Sequence, residues 1–295
     1  MIQSQNEGLE DRKLKEIEHS DRRRSIVRAY EYHTDADIDQ FEEQYIEKET
    51  EFEEHFSNMK FYSITKSSFA YRDAILYDNM KGAVALDYCC GNGEIAIEMA
   101  KHGAAHIVGI DISSVAVENA TNLARKAGVG SICEFKVMDA ENTAFDDDTF
   151  DVIHEYGALH HLYLPAAFKE LSRILKPGGK LICTEALRHN PIIHQYRRRT
   201  PQLRTQWEFE HILGIPEIKS GKSFFSSSNI RTFHLAALIA VPFRKSRFFK
   251  PLLTILNLVD DAILSIPFLN WWAWVAVVQY NDPIKKPFTD HKPER

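Results

Sequence analysis

The sequence predicts an α/β protein built on a doubly wound parallel sheet, and three observations carry that reading. Between Ala83 and Glu185, short apolar runs alternate with stretches of helical period, the pattern of strands joined by crossover helices. The runs are too apolar to leave a face in water, so helices must cover both sides of the sheet. Turn residues punctuate the alternation at Gly91-Asn92-Gly93, Gly128 to Gly130 and Pro177-Gly178-Gly179. A chain of 295 residues with 44% hydrophobic content suffices for one large domain or two modest ones, which excludes disorder and small stapled folds.

Taken in order, the first sixty residues are acidic, with 17 Asp and Glu against 9 Lys and Arg. From Thr34, with Asp37 as a capping-box-like partner, Ile38, Phe41, Tyr45, Phe52 and Phe56 recur at helical spacing. This predicts an amphipathic helix lying on a larger body, so residues 1–60 read as an acidic helical extension or lid. Lys81-Gly82 then breaks the chain before Ala83-Val84-Ala85-Leu86, a buried strand, and a helix follows from Glu94 to Lys101. A second strand runs from His106 to Ile110 and ends at Asp111. Ser113 or Ser114 caps the next helix, whose inner stripe is Ala116, Ala120, Leu123, Ala124 and Ala127. Strands are expected at Cys133 to Val137, Phe150 to Ile153 and Lys180 to Thr184. Pro165 opens the helix between the last two, with Phe168, Leu171 and Leu175 inward.

Composition narrows the function classes. Four cysteines without a C-x-x-C pair argue for a reducing compartment and against a zinc site, so no metal is expected. Met1 to Ser20 shows neither a secretory nor a transit signal, which reads as cytoplasmic. Net charge is −6, yet residues 188–250 hold 12 Lys and Arg against 3 acids. Such a block can draw an anionic substrate or an anionic membrane surface, or simply form a solvated face. The negative total and the lack of a nucleic-acid-binding module disfavour nucleic acid.

Ligands of such sheets sit at the carboxyl ends of the strands, and the unusual residues fall there. Gly91 and Gly93 permit close backbone approach beside a new helix N-terminus. Asp111, 18 residues beyond Gly93, can accept both hydroxyls of a ribose. Gly91 to Ala96 also fits the G-x-G-x-x-A dinucleotide pattern, so the glycines alone do not decide. Asp87 decides, because a carboxylate facing a pyrophosphate is repulsive whereas one facing an ammonium and a sulfonium is attractive. Asp139 follows strand three, where it can accept from an adenine amino group. An adenosine bearing a cationic amino-acid tail satisfies all three acids.

These segments resemble the class I S-adenosylmethionine-dependent methyltransferases, most of all those acting on small molecules, including the quinone C-methyltransferase-like group. The matching pieces are Ala85 to Gly93, Gly109 to Ser113, Val137 to Ala140, Phe150 to Leu162 and Leu175 to Leu181, about a third of the chain. Cys89 stands where that family usually places its first glycine. The resemblance implies a Rossmann-like seven-stranded sheet with its last strand antiparallel. Residues 61–295 would form that domain, and 188–270 its basic and apolar substrate cover. Strand six is then expected within Ser226 to Val241, strand seven at Trp274 to Tyr280, and an inserted amphipathic helix at Pro251 to Leu269.

The resemblance also implies S-adenosyl-L-methionine as cofactor, held by Asp87, Cys89, Gly91, Gly93, Asp111, Ile112, Asp139, Ala140, Glu155 and Tyr62. A base is needed if the acceptor is a phenol, an acidic carbon or a protonated amine. His160, His161 and Glu185 are the candidates; Tyr156, His189, Tyr196 and Arg197 are candidates for acceptor binding. Each has a plainer alternative in packing, capping or solvated surface. Three functions stay open: methyl transfer to O, N or C of a small organic acceptor, hydrophobic or anionic; a peripheral-membrane enzyme acting on a lipid, prenylated quinone or lipid-linked sugar; and a cofactor-binding module without turnover. The acidic N-terminal helices suit a lid or a homodimer contact equally. The uncharged stretch Ala262 to Asn281 is long enough to span a bilayer, but Pro267 and Asn270 interrupt it.

Overall fold

The structure, a computed structural model, describes residues 10–34 and 56–285. Seven strands form one sheet: β1 Val84–Tyr88, β2 His106–Asp111, β3 Cys133–Val137, β4 Phe150–Tyr156, β5 Leu175–Ala186, β6 Phe225–Phe233 and β7 Val275–Pro283. Their order is β3-β2-β1-β4-β5-β7-β6. The pairs among β1 to β5 are parallel, and β7 runs antiparallel between β5 and β6. Strand order reverses at β1, between β2 and β4, which opens a crevice at their carboxyl ends.

Neighbouring strand residues face opposite cores, as the pleat demands. Ala85 and Val152 join one core while Leu86 and Ile153 join the other. Among the described residues ten α-helices pack around the sheet: α1 Asp11–Thr34, α2 Met59–Tyr62, α3 Lys66–Leu76, α4 Glu94–Lys101, α5 Ser114–Lys126, α6 Leu164–Ile174, α7 Pro191–Arg199, α8 Gln206–His211, α9 Ile215–Ser220 and α10 Phe249–Leu264. Leu76 of α3 and Met99 of α4 fill the first core, Phe168 and Leu171 of α6 with Ile215 of α9 the second. Ser113 caps α5 as its sequence position suggests, its hydroxyl accepting from Ala116 N.

Three boundaries differ most from expectation. β5 starts at Leu175 rather than Lys180, because Leu175 already pairs with Phe150 before a register shift in β4. β6 ends at Phe233, well short of Val241. His234 takes a left-handed φ of 68°, and the Asp260 carboxylate then accepts from the N–H groups of Leu235, Ala236 and Ala237, winding the chain into 3₁₀ turns over Ala236–Phe243. α10 closes at Leu264 instead of Leu269. Of the helix expected from Thr34 onward, residues 35–55 lie outside the described residues. The sequence reading gave α1 no bounds of its own inside the acidic helical extension of residues 1–60, because it is polar nearly throughout.

Candidate active site

A cavity of about 650 Å³ opens at the carboxyl ends of β1, β2, β4 and β5, within the range of small-ligand sites. Its floor is built by the acids the sequence singled out. Asp87 ends buried in β1, Oδ1 taking His154 Nδ1 at 2.8 Å and Oδ2 accepting Ala96 N at 3.1 Å. Asp111 accepts Gly91 N and Ser113 N, each at 2.9 Å, so the ribose candidate also fixes the glycine turn. Burial raises its carboxyl pKa against the opposing pull of Arg24. Asp139 accepts Glu141 N at 3.0 Å and pairs with Lys13 Nζ at 2.8 Å.

The turn between β1 and α4 needs left-handed backbone at three positions, Cys89, Gly91 and Gly93, with φ of 58°, 54° and 81°. Cys89 therefore adopts the conformation a glycine would supply, at a steric cost of about 1–2 kcal/mol. A Cβ on Gly91 would come within 2.7 Å of Arg24 Nη2, so the missing side chain is what lets the guanidinium lie over the loop. Cys89, Gly91, Ile112 and Ala140 line the cavity. Gly93 does not; a Cβ there would strike Ala120 and Phe135 at 2.8 and 2.9 Å, making it a packing glycine of the same turn.

The opposite wall is aromatic and basic. Phe61, Tyr62, Phe69, Tyr156, Tyr196 and Trp274 line it, with Phe61 edge-on to Tyr196 at 4.9 Å and to Trp274 at 5.9 Å. Arg197 is buried in this wall. One guanidinium nitrogen donates to Leu187 O at 2.9 Å, and among the described residues no carboxylate lies within ion-pair distance of it. Burial pushes its pKa down to about 10.

Between floor and wall stands a 3₁₀ turn, Leu159–His161, held from below by two buried carboxylates. Glu155 accepts Ala158 N at 2.5 Å and Leu159 N at 3.2 Å; Glu185 accepts Leu159 N at 2.7 Å. Desolvation raises both carboxyl pKa values, reinforced at Glu155 by the charge of Glu185 and opposed at Glu185 by its hydrogen bond with Glu155, so the pair favours one shared proton. His160 Nδ1 lies 2.8 Å from Glu185 Oε2, and burial lowers the imidazole pKa. A neutral ring that donates from Nδ1 to Glu185 leaves the Nε2 lone pair for accepting a proton. His161 Nδ1 is set 2.8 Å from Glu16 Oε2 of α1. His160, His161 and Glu208 each bring a ligand atom within 4.8 Å of the others, where Arg204 Nε already pairs with Glu208 at 3.2 Å.

Besides Gly93, two residues expected in the site lie elsewhere. His189 is exposed and packs on Trp271 with ring centroids 6.3 Å apart, because the Asn190 side chain caps α7 and turns the chain outward just before it. Glu155 is fully buried behind the cavity, shaping the histidine turn rather than meeting a ligand. The sequence reading named no site residue on α1, which contributes Arg12, Lys13, Glu16, His19, Arg23 and Arg24 to the lining. It also missed His154, on β4 next to the strand acid Glu155. His154 Nε2 is buried without a hydrogen-bond partner among the described residues.

A family described as "Methyltransferase domain" matches residues 85–179. The chain is 39% identical over 99 residues to 27-O-demethylrifamycin SV methyltransferase of Amycolatopsis mediterranei, covering 32% of this chain and 36% of that protein. It is 32% identical over 126 residues to 2-phytyl-1,4-naphtoquinone methyltransferase of Nostoc punctiforme, covering 42% and 51%. The match thus spans about a third to a half of these relatives. Among solved structures, geranyl diphosphate C-methyltransferase from Streptomyces coelicolor shares the fold, with a TM-score of 0.51 at 16% identity over 73% of this chain and 79% of that one.

Proposed function

We propose that this chain, whose residues 85–179 match a methyltransferase-domain family, is a class I S-adenosylmethionine-dependent methyltransferase that methylates O, N or C of a small acceptor with an apolar body and an anionic group. The cofactor, when bound, supplies an electrophilic methyl on a sulfonium. The residues fit it: His154, whose buried Nε2 has no hydrogen-bond partner among the described residues, lines the cavity behind Asp87, and Gly91 lets a guanidinium lie against the turn. Asp87, Asp111 and Asp139 would face the ammonium, the ribose and the adenine. Arg24, over Gly91, supplies a cation for the amino-acid carboxylate.

The acceptor half rests on Arg197. A buried guanidinium without an acidic partner is unfavourable in an aromatic wall, and an anionic group on the acceptor supplies the missing charge. The aromatic side chains around it cover an apolar body and exclude water. His160 Nε2 takes the acceptor's proton, and Glu185 holds the ring in position and stabilises the charged imidazolium.

The test is a mass-spectrometric screen with deuteromethyl-labelled cofactor against pairs of apolar acids or phosphates and their neutral esters. Labelling of the anionic member of a pair is expected. Labelling confined to the esters contradicts the role given to Arg197.

A further inference from the structure

The cavity does not use the surface on which the cover region ends. Residues 236–259 contain no acid and four bases, Arg244, Lys245, Arg247 and Lys250, all four exposed. They alternate with large apolar side chains that also stand in water: Phe243 and Phe248 beside them, then Ile255, Leu258 and Val259 on α10. Leu258 is 65% exposed, Phe248 60% and Phe268 70%.

α10 makes the anomaly plain. Its inner side packs on the core through Leu252, Leu253 and Leu256, and Asp260 fastens it to the 3₁₀ turns. A helix so placed should turn polar residues outward. Instead Pro251, Ile255, Leu258 and Ala262, at i, i+4, i+7 and i+11, form an exposed apolar stripe, and Ile266 prolongs it beyond the helix end. Trp271 and Trp272 follow, 40% and 54% exposed, and Asn190 Nδ2 binds Trp272 O at 2.8 Å, joining this surface to the start of α7. There Ile192 is exposed while its neighbour Ile193 lines the cavity.

We propose that this face, formed by residues 239–272, docks the protein on the surface of an anionic lipid bilayer. An apolar stripe flanked by tryptophans suits the acyl and headgroup boundary, and the basic cluster suits anionic headgroups. Among the described residues none of the four bases has a carboxylate partner, so their charge is available to the membrane. Asp261, the exposed acid on α10, is neutralised by Arg231 at 3.0 Å. Among those residues no helix is long and apolar enough to cross a membrane, so the chain lies on the bilayer through this face. The docking does not depend on methyl transfer.

Vesicle co-sedimentation of the full chain tests it, with equimolar phosphatidylcholine and phosphatidylglycerol against phosphatidylcholine alone. Two variants accompany it: Ile255→Ser with Leu258→Ser and Phe268→Ser, and Arg244→Gln with Lys245→Gln, Arg247→Gln and Lys250→Gln. Binding to the anionic vesicles is expected, at least tenfold weaker for either variant and on the neutral vesicles, with cofactor affinity by calorimetry unchanged as the control for folding. Absence of binding overturns the proposal; sedimentation velocity then shows whether a second copy covers the face. Binding that neither variant weakens overturns it as well. If an apolar variant loses cofactor affinity, Leu258→Ser alone replaces it under the same criterion.

Discussion

The two halves of the cavity are built in opposite ways. On the cofactor side, short strands end in carboxylates whose oxygens are already committed to backbone N–H groups: Asp87 to Ala96, Asp111 to Gly91 and Ser113, Asp139 to Glu141. The acids that would bind the ligand also hold the loops, so this half is organised by local backbone chemistry. On the side proposed for the acceptor, Tyr196, Arg197 and Arg204 of one segment meet Phe61 and Trp274 from distant parts of the chain, and together they present aromatic surface and positive charge. A rigid acidic floor suits a fixed cofactor; an aromatic, basic wall assembled from distant segments suits an acceptor particular to one enzyme.

Substitutions can break this division. The largest effect is expected at the boundary, where His160→Gln should lower turnover by about 10²–10⁴-fold while cofactor affinity by calorimetry stays within about twofold. Equal loss of both would place His160 in cofactor binding instead. On the floor, Asp111→Ala should weaken cofactor binding by about 1–3 kcal/mol, since it removes a charged hydrogen-bond acceptor, and lower the melting temperature by freeing Gly91 and Ser113 N–H. On the wall, Arg197→Gln should raise KM for an anionic acceptor by about 10- to 100-fold and leave cofactor affinity unchanged in the same titration.

The pH profile sharpens the same contrast. Burial, reinforced by the positive charge of Arg197, lowers the His160 pKa, so the ring stays neutral and basic as pH falls below the ordinary histidine value of about 6.5. The acidic limb of kcat/KM should therefore lie below that value. In Arg197→Gln a cation that disfavours the imidazolium is gone, and the limb should move upward; a downward shift would contradict the assignment. The smallest effect is expected at Cys89→Gly. Relief of the left-handed strain is partly offset by the greater backbone freedom of glycine in the unfolded chain, leaving a gain of about 1 kcal/mol or less by denaturant melting.

Legibility in the sequence follows the same line. The floor was readable because strand, turn and acid are contiguous: Ala85 to Gly93 carries its whole local geometry within nine residues. The seven-stranded sheet followed from the resemblance, and β7 proves antiparallel as it implied. α1 left no periodic trace because its partners are polar: Arg12 and Lys13 meet Glu141 and Asp139, and Asp21 meets the Ser113 hydroxyl. A helix that lies across a charged cavity need not show an apolar stripe. Glu155 and His189 went astray for a related reason, since both stand within a few residues of the site and only backbone direction decides which way each side chain turns. His154 had a weak signal, a histidine in a strand otherwise fit for burial, one residue before an acid.

The central claim is that the acids ending β1 to β3 hold S-adenosylmethionine, and titration calorimetry tests it most directly. The purified full chain is titrated with S-adenosylmethionine, S-adenosylhomocysteine and NADH. Micromolar binding of the first two, weakened about fivefold or more in Asp111→Ala, with none for NADH, is the expected result. Binding of NADH alone, or of none of the three by a folded protein, contradicts it.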